Sequence, residues 1–578
     1  MRQHGRVTAP VLPRSLSADH DAGPGNSGQT YPGPDPVVLG AMAGLGGRLG
    51  RHARPVRRST AIRIIVALTL LTSLLGLWQK SPCRVHAWQD EYQFTRGCYT
   101  DVFALYFAEN LAQTTNGQGV VTTPGARPYL DHPVEYPVVI GAAMGVVAKA
   151  VHVFPEDQQA RRFFDLTWAL LTGFAVIVAV TTARLAGRRR TWDAAMFALA
   201  PTLLLHATTN WDLIATALAG LGLWQWARKR PAAAGVLLGL ATATKLYPVL
   251  FLLPLFVLCL RAGKLRAWTV TAGALVVSVA AVTVPVYLAS PSFAEVNGRQ
   301  TAVAASPWDR LDSQGLSALS PKTTVVVAGK QVTGVNAVYR FVELNQTRAA
   351  DWDSLFFALQ TARDRTTTTS GSTWDATKNW LADTAANLVL DQQVPAGGAP
   401  SRLNTSVTVI FLLLLAAILG LAWKAPRRPR LPQLLFLTMV AFLLSNKVFS
   451  PQYVIWLLPL AILARPRWRP FLAWQLTEVL VLFSRFFFFV GNDKPGQGVD
   501  ITVFIGAVLV RDVALLVLCG LVVRDILRPE LDVVRQVTDG QPGDPDSSDP
   551  DSDDPDRDDP SGGVLAGAPD RRRVLARA

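Results

Sequence analysis

Long apolar runs alternate with short arginine clusters along most of this chain, and no other feature narrows its possible folds as far. The stretches 61–78, 163–185, 267–289, 405–423, 470–490 and 502–523 are apolar and approach or exceed the roughly 20 residues that a helix needs to cross a bilayer. Around and between the apolar stretches stand "RHARPVRR" at 51–58, "RLAGRRR" at 184–190, "RKR" at 228–230, "RAGKLR" at 261–266, "KAPRRPR" at 424–430 and "RPRWR" at 465–469. Arginine gathered in loops on one side of the membrane is the pattern of cytoplasmic loops. With 50% hydrophobic and only 17% charged residues in 578, the chain reads as a polytopic membrane protein rather than a soluble multidomain enzyme. Its net charge of +14 is scattered over these loops rather than massed in one face, which argues against nucleic acid as a partner.

Shorter apolar segments at 136–153, 193–208, 211–227, 232–246, 247–261, 431–446 and 451–464 bring the expected bundle to twelve or thirteen spans in an all-α fold. Pro201, Pro248, Pro254 and Pro459 fall inside them and suggest kinked or broken helices, which membranes tolerate beside a cavity. Alternation of the basic loops conflicts with thirteen simple crossings, and the conflict points to 136–160 entering and leaving on one side. The expected organisation is a disordered cytoplasmic tail (1–58), an N-terminal membrane module (59–289) with an extracytoplasmic loop at 80–134, and a second extracytoplasmic loop or small domain (290–402). A C-terminal module (403–528) and an acidic, Pro-rich tail (529–578) complete it, the tail read as disordered and cytoplasmic.

The 80–134 loop and its return to the membrane hold an unusual density of carboxylates: Asp90, Glu91, Asp101, Glu109, Asp131 and Glu135. Cys83 and Cys98 lie there too, and an oxidising compartment would permit a disulfide between them. Asp101 opens an amphipathic segment "VFALYFAENL". It is either a helix cap or a general base beside a low-dielectric wall. Glu135 either binds sugar hydroxyls or is an interfacial charge. Lys245, in "TKLYPVLFLLP", either snorkels to the interface or waits for a lipid phosphate. The segments "NWD" at 210–212 and "NKVFSPQY" at 446–453 fall on the same face, so Asp212, Lys447, Gln452 and Tyr453 are expected to converge with the acidic loop. Glu478 and Arg485 read as an internal polar contact. No phosphate-binding glycine loop suggests a nucleotide, and no His/Cys spacing suggests a structural metal.

The segments "CYTDVFALY", "RPYLDHPVEYPVVIG", "NWDLIATAL", "ATKLYPVLFLLP" and "FSPQYVIWLLPL" together resemble glycosyltransferase family 87 over roughly 60–290 and 405–525. That group looks like a branch of the GT-C membrane glycosyltransferases, which include polyprenol-phosphate-mannose-dependent mannosyltransferases. The resemblance implies a GT-C-like bundle whose large first extracytoplasmic loop carries interfacial helices. It implies an inverting transfer from a polyprenyl-phosphate sugar, mannose by analogy, to a cell-envelope glycolipid or polysaccharide. Asp101 takes the base's position, and Glu135, Tyr136 and Pro137 match the acid-Tyr-Pro return to the membrane. Lys245, Lys447 and Arg96 would meet the donor phosphate; the resemblance fixes no cofactor and leaves a divalent cation at that phosphate open. Membrane lipids are the other expected partner. The same charges would suit a lipid-linked sugar transporter or flippase, but that reading expects internal repeats and midplane acids, whereas these acids cluster in a loop.

Overall fold

The computed structural model describes residues 57–86, 88, 92–116, 121–366, 383–391, 394, 398–494, 496–535 and 559–571. The expectations for the 1–56 tail, for Asp90 and Glu91 and for the acidic run 536–558 lie outside the described residues.

Hydrocarbon leaves no backbone N–H or C=O free to meet water, so the apolar runs must close their hydrogen bonds internally as helices. The first is α1 (Arg58–Val85), which turns Ala61, Ile65, Thr69, Thr72, Gly76 and Cys83 inward as one stripe. A loop carrying α2 (Asp101–Ala108) and the small hairpin β1 (Thr114–Thr115) and β2 (Val121–Thr123) follows. Then come α3 (Val138–Val151), α4 (Glu156–Leu185), α5 (Pro201–His206), α6 (Asp212–Ala227), α7 (Pro231–Thr244), α8 (Leu252–Ala262) and α9 (Leu265–Ala289). Helices α7 and α9 meet through Gly235 and Gly239, where a Cβ would stand 2.3 Å from the Thr271 carbonyl oxygen and 2.6 Å from that of Leu275. Small residues at such spacing let membrane helices touch backbone to backbone.

After α9 the chain leaves the bundle in β3 (Ser292–Val296), β4 (Arg299–Ala304), α10 (Pro307–Gln314), β5 (Lys322–Val327) and β6 (Lys330–Asn336). The strands form one antiparallel sheet in the order β4-β3-β6-β5. Two helices, α11 (Arg340–Thr347) and α12 (Leu355–Thr366), lead toward the second module: α13 (Ser401–Lys424), α14 (Leu431–Ser445), α15 (Val454–Ala464), α16 (Trp468–Asp493) and α17 (Ile501–Leu527). Every residue of α15 is buried, as expected of a helix that is apolar all round. Among the described residues six helices, α1, α4, α9, α13, α16 and α17, are long and apolar enough to cross a membrane. The protein is an all-α polytopic membrane protein carrying a four-stranded sheet and a two-stranded hairpin among its described residues.

The described arginines of these clusters collect at one end of the bundle, where Arg58 meets the Arg184 carbonyl and Arg261, Arg428 and Arg430 meet Asp570, Leu565 and Asp532, and Asp101 lies at the other. Two expected spans behave differently from simple crossings. Segment 136–153 becomes α3, which begins and ends on the Asp101 side: the Tyr129 hydroxyl donates to the carbonyls of Tyr136 and Pro137, and His152 meets the Leu111 carbonyl at 3.0 Å. The segment thus enters and leaves on one side, the arrangement that the arginine alternation calls for. Segment 193–208 does go from one end to the other, but as broken pieces. Ala200 is extended (φ −64, ψ 124) ahead of Pro201, because proline disfavours the helical region for the residue before it.

The expectation of a structureless tail from 529 fails for 529–535 and 559–571. Asp532 pairs with buried Arg430 at 2.8 Å, and Asp570 grips buried Arg261 at 2.6 Å. The Trp226 indole donates to the Gly562 carbonyl at 3.0 Å, and Leu565 is buried. Gly563 sits at φ 59, where a Cβ would come within 2.0 Å of the Trp226 carbonyl oxygen. Acidic composition reads as solvated; here two of the acids neutralise arginines at the helix ends instead.

Candidate functional site

Asp101 owes its position to a double bolt at the start of α2. Thr100 caps the helix by accepting from the Val102 N–H at 3.1 Å, and its hydroxyl donates to the Thr208 carbonyl at 2.6 Å. The Asp101 N–H donates to the Thr209 carbonyl at 2.9 Å. Upstream, Cys83 and Cys98 are joined, with Cα atoms 5.9 Å apart, which closes the loop three residues before Asp101. The buried Lys80 ammonium donates to the Tyr99 carbonyl at 2.8 Å. The base of the acidic loop is thus tied to α1 and to the segment joining α5 and α6.

The Asp101 carboxylate is partly exposed, and both of its oxygens accept. Oδ1 takes the Tyr99 hydroxyl at 2.7 Å; Oδ2 takes the Asn210 amide at 2.9 Å and the Gln452 amide at 3.4 Å. A carboxylate offers about four acceptor positions, so three donors leave room for a substrate hydroxyl. The same Asn210 amide donates to the Tyr136 hydroxyl at 2.9 Å. Burial, with the Asp101 charge adding to it, pushes the Tyr99 and Tyr136 hydroxyls well above the usual phenol range. Both stay protonated, so Tyr99 is a fixed donor.

Beside Tyr136 lies a caged cation. The Lys245 ammonium is 3.3 Å from Asp212 and lies 5.1, 5.4 and 5.9 Å from the ring centres of Tyr136, Tyr453 and Trp456. The Trp456 indole donates to the same oxygen that Lys245 meets, Asp212 Oδ1, at 2.8 Å. Lys245 follows α7 in an extended conformation (φ −145, ψ 138), so the "KLYP" text ends one helix and presents its cation before the chain turns down into α8. Three aromatic rings around one ammonium hold it electrostatically.

Asp101, Tyr136, Asp212, Lys245, Gln452 and Tyr453 therefore come together from five separate stretches of chain. Three expected members do not join them. Arg96 is exposed and lies over the Tyr92 ring at 5.4 Å. Glu135, although adjacent to Tyr136, pairs with Arg348. Lys447 donates to the Arg348 carbonyl and to Asn404 Oδ1, both at 2.6 Å; it ties the end of α11 to α13. Burial, with Arg348 nearby, lowers its ammonium to about 8. Glu478 and Arg485 do not pair with each other: Arg485 bonds Asp353 at 2.8 Å and Glu478 takes the Trp474 indole at 2.8 Å. Asp131 is held by Arg127. Tyr99, Asn210 and Trp456 were missed, because nothing in an uncharged side chain's local text singles it out. "NWD" was the available signal, and its asparagine rather than its aspartate touches Asp101. Among the described residues no three His, Cys, Asp or Glu side chains gather as a metal site. A cavity of about 250 Å³ lined by Arg427, Arg428, Arg535, Asp559 and Asp570 lies at the arginine end, a bundle length from this chemistry.

A helical bundle of membrane-spanning length with an ordered carboxylate and a caged lysine at one end defines a multi-pass membrane protein with a polar site at its rim. The model of glycosyltransferase family 87 matches residues 136–338, which supports membership of that family of membrane glycosyltransferases. The matched segment contains Tyr136, Asn210, Asp212 and Lys245; Asp101, Gln452 and Tyr453 lie outside it. No curated protein matches the chain.

Proposed function

We propose that this glycosyltransferase moves a sugar, mannose by the family resemblance, from a polyprenyl-phosphate donor to a hydroxyl of a cell-envelope glycolipid or polysaccharide. Asp101 removes the proton of the acceptor hydroxyl as its oxygen attacks the anomeric carbon. The carbon–oxygen bond to the lipid phosphate breaks on the opposite face, which inverts the anomeric configuration. The bonding pair leaves with the phosphate, and the proton remains on Asp101. The lipid phosphate gains charge as it departs, and a cation beside the leaving oxygen stabilises that change. Lys245 fills this role, with Tyr136 and Tyr453 flanking the sugar.

The observation that carries the reading is the carboxylate of Asp101, oriented by donors on both oxygens yet still partly exposed at the end of the bundle. Gathering of the arginine clusters at the far end supports an extracytoplasmic site, since cytoplasmic loops collect arginine. A membrane-level site also suits a donor whose lipid tail stays in the bilayer.

The test is transfer by purified protein in liposomes, offered either radiolabelled polyprenyl-phosphate mannose or a nucleotide-linked mannose, with the product anomer determined by NMR. Use of the lipid-linked donor alone, with an inverted product, is expected. Use of the nucleotide donor, or retention, would overturn the proposal. Movement of intact lipid-linked sugar across the bilayer without transfer would instead favour a flippase. Parallel assays in Mg²⁺ and in EDTA separate a phosphate carried by lysine from one that needs a divalent cation.

A further inference from the structure

Where α9 ends, the chain builds an apolar surface that nothing among the described residues covers. Helix α10 and the turn after it, 307–319, expose Trp308 (67%) and Leu316 (82%), with Leu311 and Leu319 beside them. One buried side chain holds this segment in place. Arg310 donates to the Ala305 carbonyl at 2.9 Å, to Thr323 Oγ1 at 3.1 Å and to the Ala318 carbonyl at 3.2 Å. The guanidinium faces the sheet, so the apolar side chains are turned outward by a fixed core rather than left on a loose loop.

The position of that surface identifies what it meets. The hydroxyl of Tyr287, in the last turn of α9, donates to the Leu319 carbonyl at 2.8 Å. Asn336, at the end of β6, donates to the carbonyls of Tyr287 and Ser290 at 3.2 and 2.9 Å. With 25 residues at 1.5 Å each, α9 is longer than the roughly 30 Å of hydrocarbon, so its last turn reaches headgroup level. Its outer flank is apolar and open, Val276 at 63% and Val277 at 69% exposed, as a lipid-facing helix must be. The patch at 307–319 continues this flank at the end of the helix.

We propose that residues 307–319 form a foot that rests in the headgroup–acyl boundary of the leaflet on the Asp101 side, with Trp308, Leu311, Leu316 and Leu319 as its contact with lipid. Exposed Asp309 and Asp312 keep it at the interface rather than in the hydrocarbon, the balance expected of an interfacial amphipathic element. Seating the foot holds the sheet against the bilayer. It thereby fixes the start of α11 and the Arg348–Glu135 contact at the edge of the site.

The test is depth measurement on the full chain in lipid nanodiscs, with Cys259 and Cys519 replaced by alanine and a nitroxide placed at Leu316→Cys or, on the sheet, at Thr301→Cys. The ratio of collision with oxygen to collision with a water-soluble nickel chelate should be several-fold higher at 316 than at 301. Equal ratios would overturn the proposal and leave the patch facing water. A label at 316 shielded from both reagents, with spin–spin broadening that vanishes on dilution with unlabelled protein, would overturn it in favour of contact between two copies. Both labels sit on exposed side chains, so a folding defect does not obscure the comparison.

Discussion

At the scale of single residues, Asn210 links the Asp101 carboxylate to the aromatic wall around Lys245. Its amide reaches Asp101 and Tyr136, and its carbonyl oxygen accepts from the Trp211 N–H at 2.7 Å. A hydrogen bond to a charged group contributes roughly 1.5–3 kcal/mol, and each 1.36 kcal/mol is about tenfold in rate. Asn210→Ala should therefore lower kcat about ten- to a hundredfold with little change in KM, as steady-state transfer assays would read; an unchanged kcat would remove Asn210 from the positioning of Asp101. The Lys245–Asp212 pair is buried. Breaking such a pair from one side costs about 3–5 kcal/mol, whereas replacing both partners by apolar groups is often close to neutral. Lys245→Met should thus lower the melting temperature in detergent, and adding Asp212→Leu should restore it without restoring transfer. Full transfer by the double variant would take the phosphate role away from Lys245. Charge drew attention to most candidates in the sequence, and the structure brings together those whose charge is buried, Asp212 and Lys245. Arg96, Glu135 and Lys447 lie apart from that group, beside the Tyr92 ring, Arg348, and the Arg348 carbonyl with Asn404 Oδ1.

At the scale of elements, the loop between α2 and α3 is closed by a pair that titrates. Glu109 and His132 are 3.5 Å apart, and the Asn110 amide meets the other ring nitrogen of His132 at 3.0 Å. An amide N–H can only donate, so that nitrogen accepts and the proton of neutral His132 points at Glu109. Burial raises the Glu109 carboxyl from its ordinary value to about 7 and lowers His132. A carboxyl raised in the fold stabilises it fully below the unfolded value of 4.5, and that contribution is lost as pH climbs through about 7. His132, held down, contributes in the opposite sense, losing stability as pH falls below its unfolded value. The Glu109 part can be isolated by comparison with Glu109→Gln. Hydrogen exchange at the Tyr129 and Ala126 amides, which close this loop on His132 and Asn110, should become relatively faster in the wild type than in the variant between pH 4.5 and 7. Parallel pH profiles would contradict the assignment. Elements were most readable where length and period agreed, as in α1, α4, α9 and α17. That α3 does not cross was readable only indirectly, because the arginine alternation would not close with a crossing there. The strands at 292–336 were not recognised, since a half-exposed sheet outside the membrane carries little of the hydrophobic contrast that marks spans.

At the scale of the whole molecule, the arginine end and the Asp101 end do different work. The segment 559–571 clasps the former through Asp570–Arg261, the Trp226 indole and Leu565. Ending the chain after Arg535 should lower the melting temperature by several degrees, because Arg261 is then buried without its carboxylate, while transfer by the folded protein persists. An unchanged melting temperature would mean the clasp contributes nothing. This docking was invisible in composition, which registers acids but not the buried arginines they meet. The site is a whole-molecule property too: Gln452 reaches Asp101 across 351 positions of sequence, a convergence that the two loop texts foreshadowed only by lying on one face. The most direct test of the account is transfer from polyprenyl-phosphate mannose by purified protein in liposomes, wild type beside Asp101→Asn, with melting temperatures measured on both. The account predicts transfer by the wild type and at least a hundredfold loss in a variant that melts like it, in line with the ~10²–10⁴-fold contribution of a general base. Normal turnover by Asp101→Asn would contradict it.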